Sequence, residues 1–286
     1  MVHGPFAHTE TCMGTVFSFT GISPLSTSDT VAAVAAACKL LHQADATFSL
    51  YKPESPLSAL ARGETSVAKC PPEVDQIWDA CEAWEKTTDG WFSAFTPQHT
   101  FDPSGIVKTW AAKAAADSIL AAGITDFTMN AGGDVFISDG ATPRNDWRIA
   151  IHKPVSVASA EAGVLTVVDL LDTPYRAMAT SGSAERGQHI WNPKAPEKAA
   201  ANELVQVSVV ARDLVEADIW ATAAFAAGSR GIALLDNFNE AHPDQDVQAF
   251  FIWPDGQFGA TKNFVPLFAK SQSQTQPQSP ASEPGA

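Results

Sequence analysis

Between Asp213 and Gly228 the chain is apolar on nearly every side of a helix: Ile219, Trp220, Ala221, Ala223, Ala224, Phe225, Ala226 and Ala227 leave little polar surface. Asp213, followed three residues later by Glu216, is an entry signal, and Gly228 is a stop. A helix of this composition is largely buried, so the chain that carries it must build a substantial core. The means are present, because 45% of the 286 residues are hydrophobic and they include 8 Trp and 16 Phe. The length fits one large domain or two small ones.

Three further segments have helical periodicity with their own boundary signals. Val31, Val34, Ala35, Cys38 and Leu41 follow Ser26-x-x-Asp29, which resembles a capping box. Val74, Ile77, Trp78, Cys81 and Trp84 are entered through Pro71-Pro72 and Glu73. The third helix runs over about 106–120 and stops at Gly123. Strands are expected over 15–19, 127–130, 135–138, 147–152, 164–170, 205–211 and 247–253. They come in neighbouring groups rather than alternating with helices, so an α+β fold with packed helices is expected, not a doubly wound parallel sheet. With no internal repeat and no clear linker, one continuous domain is expected over about 10–268. A Ser/Gln/Pro-rich tail over 269–286 has no large apolar residue to bury beyond Ala269 and is expected to be disordered.

The formal net charge is −14. Wholesale binding of nucleic acid or anionic membrane depends on clustered Lys and Arg, which this chain lacks. A phosphorylated ligand would need its counter-charge supplied locally, by a metal, a few cationic side chains or a helix N-terminus. Cys12, Cys38, Cys70 and Cys81 are too widely spaced for a CxxC motif or a disulfide scaffold and read as ordinary thiols. No basic and then apolar leader precedes them, and no apolar run approaches the roughly 18 residues of a membrane span. A cytoplasmic protein is expected.

Signatures of the P-loop, the dinucleotide fold, zinc proteases and the nucleophile elbow are all missing. Four polar constellations remain. Asp218 and Thr222 stand at i and i+4, so a carboxylate and a hydroxyl share one helix face, a pair of hard oxygens suited to Mg²⁺. A solvated acid beside a back-bonded threonine is the plain alternative. Because the helix is apolar and no Lys or Arg lies within one turn of Asp218, metal ligation has a physical motive. In FDPSGIVK, a turn with Asp102 opens a helix that carries Lys108, an arrangement for anions, or simply a cap and a solvated lysine. Gly132-Gly133-Asp134 permits close backbone approach with an acceptor for a ribose or ring, or is a glycine-rich bulge. The polar stretch 179–193 carries Ser181, Gly182, Glu185, Arg186 and His189, the last suited to general-base work, though a lone loop histidine is more often structural.

Read in order, these segments resemble the ApbE family, the FAD:protein FMN transferases. Met13-Gly14-Thr15, FSLYKPESPLSAL over 48–60 and GWFSAF over 90–95 extend the resemblance from Met13 to about Gly228. It implies a single ApbE-like α+β domain with antiparallel or mixed sheets. It also implies a Mg²⁺-dependent cleavage of FAD, in which FMN passes to a Thr or Ser hydroxyl of a target protein and AMP is released. The metal site would match Asp218 and Thr222, with backbone oxygens at Gly105 and Ala221. FAD would lie against Met13, Tyr51, Phe92, Ser93, Ala94, Asp102, Lys108, Ile190 and Trp191, with Asp134 and Ser181 as further contacts. The catalytic group implied comprises His189, Asp218 and Lys108, with His189 as base or positioning group for the acceptor hydroxyl.

The chain departs from the family pattern in two places. K-G-[WY] is replaced by Lys108-Thr109-Trp110, which puts a Cβ where glycine allows close approach, and H-I-x-D-P-x-T-G by His189-Ile190-Trp191-Asn192-Pro193-Lys194, which loses a carboxylate and the Thr-Gly turn. Both bear on the flavin pocket and leave the metal pair intact. An FAD pyrophosphatase yielding FMN and AMP, or a non-catalytic FAD carrier, are the alternative readings.

Overall fold

The computed structural model describes residues 4–141, 147–154, 163–182, 190–195 and 204–269. The chain builds one eight-stranded sheet in which every pairing is antiparallel. It comprises β1 (Gly4–Cys12), β2 (Thr15–Ser23), β3 (Asp126–Ala131), β4 (Asp134–Ile137), β7 (Ala177–Gly182), β8 (Gln206–Ala211), β9 (Gln248–Ile252) and β10 (Phe258–Ala260), in that spatial order. A separate hairpin, β5 (Arg148–His152) with β6 (Val164–Asp169), forms a second small sheet. The helices are α1 (Thr27–Phe48), α2 (Pro56–Ala61), α3 (Pro72–Thr87), α4 (Ser104–Ala121), α5 (Leu214–Ala227) and α6 (Gly231–Ala241). The α+β class is as expected.

The four helices anticipated from periodicity form with the anticipated caps at α1 and α5. Ser26 Oγ accepts the Asp29 N–H, and Asp213 Oδ1 accepts from Val215 and Glu216. β1 was not anticipated, and it extends the sheet to Gly4. It joins β2 through Met13 and Gly14, both at positive φ (53° and 69°), the two-residue turn whose twist matches antiparallel strands. β7 overlaps the polar stretch that begins at Ala179. Its sequence, AMATSG, has Thr180 as its one residue of a type that favours strands, and Ala177 and Ala179 face α5, where their small size lets the helix approach.

α5 lies between α4 and α6 and packs on β7 and β8, and its Trp220, Ala221, Ala224 and Phe225 are fully or almost fully buried. The main core fills the space between the helices and one sheet face, where β8 contributes Val207, Val209 and Ala211 and β9 contributes Ala249 and Phe251. A second core lies on the other face. There Met178, Val210, Phe250 and Ile252 meet Trp147, Ile149, Ile151 and Val168 of the hairpin region. Strands β8 and β9 are therefore buried on both faces, which is why they read as continuous apolar runs.

Glu216 in the first turn of α5 is a partly buried acid on this apolar helix. Burial pushes its carboxyl up to about 7, with the Asp213 charge adding and Arg212 opposing. The folded state therefore holds this proton more tightly than the unfolded chain, whose value is 4.5. Its contribution to stability is complete below pH 4.5 and is lost as pH rises through about 7. Glu216→Gln is expected to remove that slope, so that urea midpoints of variant and wild type diverge in the variant's favour between about pH 5 and about pH 8.

Candidate functional site

Seven parts of the fold converge on a cavity of about 430 Å³. The loop before α4 brings Trp91, Phe92, Ser93 and Asp102, and the first turns of α4 bring Ser104, Gly105 and Lys108. The β3–β4 turn adds Gly132 and Gly133, β7 adds Thr180, Ser181 and Gly182, and α5 adds Asp218 and Thr222. Ile190, Trp191 and Pro193 close one side, and the end of β5 with Lys153 another. The volume is that of an ordinary small-molecule site.

At its floor a cation is shared by two acids. Lys108 Nζ bonds Asp134 Oδ2 and stands 3.6 Å from Asp218 Oδ2, while Thr109 Oγ1 donates to that same Asp218 oxygen at 2.9 Å. Asp134 Oδ1 accepts the Thr180 N–H at 3.1 Å, which ties the group to β7. Asp218 and Asp134 are both buried and Lys108 is largely so. The expectation that Asp218 has no cationic neighbour is not met. Asp218 does have a cationic partner, delivered by α4 rather than by its own helix. Among the described residues, two carboxylates thus face one ammonium.

Thr222 Oγ1 lies 3.4 Å from Ser181 Oγ, one helical turn from Asp218, so three hard oxygen donors from α5 and β7 line one wall. That donor chemistry fits Mg²⁺, which takes few protein ligands and completes its shell with water and phosphate oxygen. Gly105 belongs to the same cavity, and a Cβ there would stand 3.2 Å from the Phe92 ring. Ala221 is fully buried and outside the lining.

The remaining expected residues are divided. Phe92, Ser93, Asp102, Lys108, Ser181, Ile190 and Trp191 line the cavity. Asp102 also caps, its Oδ1 accepting the Ser104 N–H at 3.0 Å, and its own N–H is held by the Ala94 carbonyl at 2.7 Å. Ala94 and Asp134 thus stand behind the lining as supports. Met13 is part of the β1–β2 turn, whose Thr15 packs against Gly132. Tyr51 is 98% exposed and is not among the lining residues. His189, Glu185 and Arg186 lie outside the described residues.

The two departures acquire different meanings. Thr109 is fully buried and its hydroxyl goes to Asp218, so this substitution bears on the proposed metal pair rather than on the cavity wall. Thr109→Val, which keeps the shape and removes the donor, is expected to cost about 2 kcal/mol in urea denaturation, and Thr109→Ser much less. Asn192 Oδ1 accepts the Lys194 N–H at 2.9 Å, so an amide makes the turn without the charge. Lys194 then reaches back, 4.6 Å above the Trp91 ring and 2.7 Å from Asp89, fastening this segment over the cavity. Lys153 and Thr180 were missed at the sequence level, since neither belongs to a local motif.

An antiparallel α+β scaffold with aromatic side chains, a helix start and hard oxygens around one cavity is suited to a phosphorylated aromatic ligand held beside a cation. The profile of the ApbE family matches residues 94–247, over half of the chain, and the chain belongs to that family. An FAD:protein FMN transferase of Klebsiella pneumoniae (strain 342) is 27% identical over 165 residues, covering 54% of this chain and 46% of the relative, so the chain spans about half the length of the curated relatives it matches. Among solved structures, the flavin transferase ApbE from Vibrio cholerae superposes with a TM-score of 0.73 at 20% identity, over 93% of this chain and 100% of that one. The ApbE protein from Thermotoga maritima gives 0.74 at 19% identity, over 93% and 100%. These likenesses establish the fold.

Proposed function

We propose that this protein transfers FMN from FAD to a Thr or Ser hydroxyl of a target protein in a Mg²⁺-dependent reaction that releases AMP. The observation that carries the reading is the single wall on which Asp218, Thr222 and Ser181 stand beside Gly105 and Lys108, facing a cavity with Phe92, Trp91 and Trp191. The names of the relatives support the same reading.

In this reading the aromatic side chains and the Gly132-Gly133 turn take the flavin and nucleotide portions, and the start of α4 faces the pyrophosphate. Asp218 and Thr222 would hold Mg²⁺, with backbone oxygen from Gly105; Ala221, set behind the lining, would reach the ion only through its carbonyl. The bound ion supplies charge neutralisation at the pyrophosphate and on the departing AMP. Lys108 orients Asp218 while contributing positive charge to the cavity. Asp134 holds Lys108 in place. His189 takes the proton of the acceptor hydroxyl as its oxygen forms the new bond to the FMN phosphorus and the bond to AMP breaks.

The test is to incubate the protein with FAD and Mg²⁺, with and without EDTA and a candidate acceptor domain, following AMP and the mass of the acceptor. Metal-dependent AMP release with an FMN-sized mass gain is the expected result. AMP without an adduct would replace the reading by a pyrophosphatase, and tight FAD binding that is indifferent to metal, with no AMP under any acceptor, by a carrier.

A further inference from the structure

A second cluster of ligand-type side chains, on the edge strand of the sheet, shares no residue with this cavity. In β1, His8, Glu10 and Cys12 alternate onto one face of the strand. In α1, Cys38 and His42 stand one helical turn apart. The helix crosses that face of the strand, and the ligand atoms of His8, Glu10 and Cys38 all come within 4.8 Å of one another. His42 Nε2 is 2.9 Å from Glu10 Oε1, and His8 Nε2 is 3.3 Å from Glu10 Oε2. The other ring nitrogen of His42, Nδ1, is 3.5 Å from Cys12 Sγ.

We propose that His8, Glu10 and Cys38 form a zinc site, with His42 as fourth ligand and Cys12 orienting the His42 ring, and that the ion clips the edge strand β1 to α1. Two residues two apart on a strand and two residues four apart on a facing helix are a natural way to surround a tetrahedral ion. Thiolate, imidazole and carboxylate together select zinc-class ions over magnesium. The arrangement also has an approach, since His8, Glu10, Cys38 and His42 line a surface cavity of about 440 Å³ between Phe6 and Val34. Both imidazoles already point at Glu10, so binding requires side-chain adjustment rather than backbone movement. The Cys12–His42 contact is the kind of outer support that fixes a ligating ring. A reactive-thiol role is disfavoured, because burial, with Glu10 second, pushes the Cys38 thiol up to about 11 and leaves it neutral in the metal-free protein.

The test uses the full chain, reduced and stripped with EDTA, and titrates it first with Co²⁺ and then with Zn²⁺. A sulfur-to-cobalt charge-transfer band that Zn²⁺ abolishes is expected in the wild type and in Asp218→Asn, since a Mg²⁺-type oxygen site gives no such band. The band should vanish in Cys38→Ala. In His8→Ala, whose altered side chain is partly exposed and leaves the core intact, Zn²⁺ affinity should fall at least about tenfold, and Zn²⁺ should no longer raise Tm. No cobalt–sulfur band, a band that survives Cys38→Ala, or unchanged Zn²⁺ affinity in His8→Ala would each overturn the proposal.

Discussion

Asp218→Asn is expected to lower metal-dependent AMP release from FAD by about a hundredfold or more while leaving the protein folded. A loss of that size is about 3 kcal/mol of transition-state stabilisation. The amide keeps the size of the carboxylate and can still accept from Thr109 and Lys108, so the floor of the cavity keeps its shape. What it loses is the negative charge that a magnesium ion needs beside Thr222 and Ser181. Rate and stability should therefore separate, with the rate measured by AMP release at saturating Mg²⁺ and the fold by urea denaturation. A parallel collapse of both would assign Asp218 a structural role.

The second large effect is on stability. Lys108 is the described cation that faces both Asp134 and Asp218, and all three side chains are largely removed from water. Lys108→Met preserves the length of the side chain and leaves two buried carboxylates without that ammonium. Breaking such a group by removing one partner costs about 3 kcal/mol, because the desolvated charges stay behind. The loss should be smaller when Asp134→Asn is added, since one of the stranded charges is then gone. A double-mutant cycle in urea measures this directly. Simple additivity would mean that the three residues do not act as a unit.

The outlines of this architecture are legible in the sequence where local signals agree. The α5 helix is marked by its Asp213 cap, its Gly228 stop and apolar residues all round, and the Asp218–Thr222 pair follows from helical spacing alone. Strands β8 and β9, buried on both faces, announce themselves as apolar runs. β7 does not, because its packing against a close helix selects Ala, Ser and Gly over the usual strand formers. The cavity floor is the least legible part. Asp218 meets Thr109 across 109 residues of chain and Lys108 meets Asp134 across 26, and nothing in local spacing connects them. Reasoning within one turn of Asp218 leaves out Lys108, a cationic partner that stands 3.6 Å from the buried carboxylate. The same holds at the sheet edge, where His42 and Glu10 meet across 32 residues and four cysteines without a local motif look ordinary.

In the proposed function FAD binds in the cavity between α4, β7 and α5 with its pyrophosphate beside Asp218 and Thr222. Crystals of the protein soaked with FAD and Mn²⁺ test it most directly, through the anomalous signal of the manganese. The expected result is a manganese ion ligated by Asp218 and Thr222 and touching the pyrophosphate, with the flavin ring against Phe92 or Trp191. Manganese bound away from Asp218, or FAD seated elsewhere on the protein, would contradict it.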